Sequence, residues 1–129
     1  MRAILFRGKC VDSGEWVYGF YSPVNLPRFG NQGHFINENG FRAVEVIPET
    51  VGEYTGLTDK KGKKIFEGDI LEFVQKVIVR WHKIFGGFVL EPVVRSNAYL
   101  QWMMFDNGII DYEIIGNIYD NPELLEVEK

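Results

Sequence analysis

The stretch Asp69–Val94, DILEFVQKVIVRWHKIFGGFVLEPVV, decides the fold class. Ile70–Val74 and Lys76–His82 are short runs rich in Val, Ile, Phe and Trp, with little between them. Such runs are strands, because branched and aromatic side chains fit a pleated surface. Gly86-Gly87 breaks the pattern and Phe88–Val94 resumes it. No segment of the chain keeps helical periodicity beyond about ten residues, the length at which a helix becomes the better reading.

Working outward toward the N-terminus, Ala3–Arg7 and Glu15–Tyr21 form a hairpin around Asp12-Ser13-Gly14. In its second strand Trp16, Tyr18 and Phe20 alternate with Val17 and Gly19. Ser22–Gly33, with its prolines, glycines and asparagines, reads as a mobile loop. His34–Ile36 is a short strand, Asn39-Gly40 a hairpin turn, and Phe41–Ile47 a strand ended by Pro48. In that strand Phe41, Ala43 (weakly) and Ile47 share one side, and Val44 and Val46 are less cleanly placed. Tyr54–Leu57 leads to a turn at Asp59–Gly62 and returns through Ile65-Phe66. Toward the C-terminus, Tyr99–Phe105 fits a strand or one to two helical turns equally well. Ile109–Ile115 is a strand, and Glu123–Leu125 a helical turn. The whole is a mostly β chain of 129 residues and one domain. Residues 1–57 form an N-terminal hairpin region, and 58–129 a small barrel of short antiparallel strands with an acidic tail.

Composition is that of a globular protein, 46% hydrophobic and 25% charged. No apolar run reaches the ~18–20 residues of a membrane span, and the first residues do not resemble a signal peptide. One cysteine, Cys10, excludes an internal disulfide and suits a reduced cytoplasmic chain. Net charge is −4, unpromising for a nucleic-acid binder, but its distribution is uneven. Lys60–Lys83 holds seven bases and three acids, and Asp106–Lys129 seven acids and one base. The simplest reading is a solvated turn and tail; the sharper one is a dipolar molecule that associates head to tail.

The residues supply no catalytic constellation. Two histidines and one cysteine at wide spacing cannot furnish a zinc site, so no metal and no cofactor is expected. Lys9 beside Cys10 is able to lower the thiol pKa, but no base stands nearby in sequence. Gly62-Lys63-Lys64 lacks the rest of a phosphate loop. Glu67 and Asp69 form an i, i+2 pair, which a glycosidase-like site would need, but the glycine between them favours a bend with solvated acids. Asp69 there caps its own turn.

Aromatic residues are the one excess, at 15%. Interior filling of a small barrel explains most of them. The run Tyr99, Trp102, Met104, Phe105 is harder to bury and is the expected protein interface. Lys63, Lys64, Lys76, Arg80 and Lys83, with Trp81 and Phe85 among them, are the expected contacts if the partner is nucleic acid.

Two longer motifs go further. PETVGEYTGLTDKKGKKIFEGDILEF at Pro48–Phe73 resembles the central motif of the YopX family. IIGNIYDNPELL at Ile114–Leu125 resembles that family's C-terminal signature, and Arg2–Gly8 with Gly14–Gly19 its N-terminal hairpin. Positions of about 21–42 and 83–108 diverge. The resemblance implies a small phage or prophage protein of Gram-positive bacteria, mostly β, with an SH3-like or pseudo-barrel C-terminal part. It implies no established activity, so no catalytic residues carry over. The expected function is therefore non-enzymatic: binding to another protein or to itself, with nucleic-acid binding through 60–83 as the alternative. An enzyme would need His34 or His82 brought beside a carboxylate or Cys10.

Overall fold

The computed structural model describes residues 4–26, 31–38, 40, 42–73, 75–84, 86–94, 103–104 and 111–126. They form eleven strands and two 3-10 turns, with no helix long and apolar enough to cross a membrane. The chain divides into two compact units, residues 1–54 and 55–129.

In the first unit the strands are β1 (Phe6–Lys9), β2 (Trp16–Leu26), β3 (Asn31–Asn37) and β4 (Ala43–Glu45), with β5 (Gly52–Thr58) entering at its end. They lie antiparallel in the order β4-β3-β2-β1-β5. The first hairpin is as expected, with Lys9 opposite Trp16 and Arg7 opposite Tyr18. β3 and β4 form the expected hairpin; Asn39 lies outside the described residues, and the Gly40 N–H donates to Asn37 Oδ1 at 2.8 Å.

Ser22–Gly33 is not a loop throughout. β2 continues to Leu26 and β3 begins at Asn31, with Pro23 opposite His34. Proline is tolerated because β1 accompanies β2 only as far as Gly19. Beyond it, an N–H pointing away from β3 has no ladder to serve. β4 is also shorter than the expected strand, whose first residue, Phe41, lies outside the described residues; Val44 and, just past the end of β4, Val46 face inward, while Ala43 and Ile47 face solvent. A bridge between Val46 and Cys10 brings the end of β4 back to β1. Ile36 and Val46 are completely or almost completely buried inside that curl. Pro48 starts a 3-10 turn, Pro48–Thr50, and the Thr50 hydroxyl accepts the Lys9 N–H.

In the second unit the rest of β5 pairs with β6 (Lys64–Phe66). A five-stranded antiparallel sheet follows in the order β10-β9-β8-β7-β11. Its members are β7 (Asp69–Glu72), β8 (Lys76–His82), β9 (Gly87–Pro92), β10 (Met103–Met104) and β11 (Glu113–Asn117). This sheet is open. The expected barrel does not close, because β10 and β11 stand at opposite edges. Ile65, Leu71, Val77, Val79, Phe88 and Leu90 form the core, with Leu57, Tyr112 and Ile114 against it. Alternation along β8 places Val77 and Val79 on this face.

The two sequence motifs are halves of one clasp. Asp59 is buried, and its Oδ1 accepts the N–H groups of Lys61 and Lys63, each at 2.9 Å. Its Oδ2 accepts the N–H of Ile114, 55 positions away, at 3.0 Å. Asp69 is 2% exposed rather than solvated, and its Oδ2 accepts the Phe66 N–H. At Gly68 a Cβ would lie 3.1 Å from the Tyr119 ring, while the Gly68 carbonyl accepts the Ile118 N–H. At Gly116 a Cβ would meet Asn121 Oδ1 at 2.5 Å, and that oxygen accepts the Asn117 N–H. Asn117 Oδ1 in turn holds the N–H groups of Tyr119 and Asp120.

Burial alone would raise the Asp59 pKa, but the N–H donors of Ile114, Lys63 and Lys61, with the Lys63 charge, outweigh it. The carboxyl is held below its ordinary value. Its contribution is therefore complete above the unfolded value of about 3.9 and is lost as pH falls through the lower folded value. Asp59→Asn points an NH2 at one of these donors. We expect it to cost about 1–3 kcal/mol in urea unfolding and to flatten the acid limb of stability against pH. Gly68→Ala, strained at φ 94° and pressed on Tyr119, should cost more than Gly62→Ala, where φ is similar and the space is open. Chemical denaturation of the two variants compares them directly.

Candidate functional site

The most distinctive surface in the first unit is the outer face of β2. Strand alternation puts Trp16, Tyr18 and Phe20 on one side, roughly 6.5–7 Å apart along the strand. Gly19 and Tyr21 take the opposite side, with Ile36 and Val46 in the interior. Phe20 is 63% exposed and Tyr18 45%. Large aromatic side chains left in water along one strand cost hydrophobic free energy that the fold does not recover.

The inner end of the row is anchored. Arg7 and Lys9, across the hairpin from Tyr18 and Trp16, lie against the indole. Arg7 Cζ is 4.6 Å and Lys9 Nζ 5.6 Å from the Trp16 ring centroid. Cation–π contact of this kind holds the ring in place and uses a guanidinium that is itself buried. Going outward the row passes from this half-buried, clamped tryptophan to a freely exposed phenylalanine. Two further aromatics serve the interior: Tyr21 stacks on His34 and packs against Phe6, and its hydroxyl bonds His34 Nδ1.

The expected interface residues Tyr99, Trp102 and Phe105 lie outside the described residues. Met104 is in β10, opposite Val89, so this part of Tyr99–Phe105 is strand. The expected nucleic-acid contacts fall in the second unit, with Lys76 and Arg80 on one face of β8. Arg80 is held by Glu91, Nε to Oε2 2.9 Å. Lys76 stands across from Glu72. Lys63 and Lys64 are exposed at the start of β6, and Lys83 in the turn after β8. Lys60 and Lys61 both reach Glu113, at 3.4 and 3.3 Å. The bond from Lys61 chiefly holds the Glu113 carboxyl below its ordinary pKa, with Lys60 adding to it against a smaller opposing effect of burial. The basic stretch and the acidic tail thus meet within one chain. These pairs also ease the repulsion between Glu113 and Glu72, which are directly opposed.

Cys10 follows β1, in an isolated bridge with Val46. Its thiol is held below the usual pKa by the Ser13 hydroxyl and then by the N–H groups of Ser13 and Asp12. Lys9, the expected cause, lies over Trp16 instead. His34 Nδ1 is engaged by Tyr21, and His82 ends β8. Among the described residues no three His, Cys, Asp or Glu side chains gather as a metal site would require.

The outer face of β2 was foreshadowed by the alternation at Trp16–Phe20. Its exposure was not, since an alternating aromatic strand presents one face inward and the sequence does not say which.

A mostly β protein with two antiparallel sheets and a motif clasp is the class these features define. The YopX protein family model matches residues 5–126, and the chain belongs to that family. The crystal structure of protein EF1440 from Enterococcus faecalis is similar at 23% identity and TM-score 0.45, covering 98% of this chain and all of that one. No curated protein matches.

Glu113→Gln should release Lys60 and Lys61 to solvent. We expect the variant to elute from heparin at higher salt than Glu126→Gln, which removes the same charge from the exposed end of the tail. Equal elution of the two would show that the Lys–Glu113 pairs do not restrain the basic stretch.

Proposed function

We propose that this YopX-family chain is a non-enzymatic binding protein whose contact surface is the outer face of β2, and whose partner is protein. The observation that carries the reading is the exposed row Tyr18 and Phe20 running out from a Trp16 clamped by Arg7 and Lys9. Tyr, Trp, Phe and Arg are the residues enriched at the buried centres of protein interfaces. A second copy of the chain is the first partner to test. The surface is a strand exterior rather than a cleft, which suits a protein better than a small molecule. A polyanion is less well served, because residues 1–54 carry five bases and six acids. Bases in the second unit are partly paired with its own carboxylates. The family resemblance supports a phage or prophage accessory role in a bacterial cytoplasm, where a lone thiol remains reduced.

The test is light scattering across protein concentrations, with ANS fluorescence alongside. Phe20 is mostly exposed, so Phe20→Asp should leave thermal unfolding almost unchanged. We expect a mass above that of one chain, returned to one chain by the substitution, or a monomer whose ANS binding falls in Phe20→Asp. A monomer at every concentration with identical dye binding in both proteins sinks the proposal.

A further inference from the structure

We draw no further inference here: the strongest candidate, the tip of the β8–β9 hairpin where Trp81 and Ile84 stand exposed, is an unpartnered apolar patch and nothing in the structure shows what covers it.

Discussion

The second unit depends on one buried carboxylate. Asp59 sits at the turn between β5 and β6, where it gathers two N–H groups of its own turn and one from β11. An unpaired carboxylate in that position would be expensive, and three donors make it favourable. The same group therefore shapes a local turn and fixes the register of a strand far along the chain. Lys60 N–H donating to the Tyr112 carbonyl extends the contact. Below it, Gly68 and Gly116 bring the chain close enough for Tyr119 and Asn121 to pack and bond. The long motif and the C-terminal motif are thus one structural device. Asp59 and Gly68 join the two motifs by hydrogen bonds and close approach, and Asp69 and Gly116 do so within each.

The first unit is organised differently. It has a curled sheet, drawn together at Cys10 and Val46, with a small interior around Ile36. Phe6 and Tyr21 meet on that side; Trp16, Tyr18 and Phe20 do not. Arg7 and Lys9 stabilise the inner end of the row, and the outer end remains in water. This asymmetry gives the outer face of β2 a clamped inner end and an exposed apolar outer end.

Charge illustrates the difference between composition and placement. The sequence separates a basic stretch from an acidic tail, and a dipolar molecule follows if they stay apart. In the fold, β11 lies beside β7, and Glu113 comes within reach of Lys60 and Lys61. Arg80 meets Glu91 across a strand pair in the same way. Of the bases considered for nucleic acid, Lys63 and Lys64 stand at the start of β6, Lys76 and Arg80 share one face of β8, and Lys83 lies in the turn after it.

Strands and turns were legible wherever the signal was local. β8 coincides with Lys76–His82, and the turn at Asp59–Gly62 falls where aspartate and glycine permit it. Proline and glycine make Ser22–Gly33 read as a loop, whereas 22–26 and 31–33 are strand; the absence of β1 beside β2 beyond Gly19, which tolerates Pro23, is not local information. The sequence by itself determined the β class, most turn positions and the family, because alternation, turn chemistry and long motifs are properties of adjacent residues. Only the tertiary structure decided that Asp59 and Asp69 are buried, that the barrel stays open and that Tyr18 and Phe20 face water. Each of those depends on which distant strand supplies the hydrogen bond, the cover or the opposing charge.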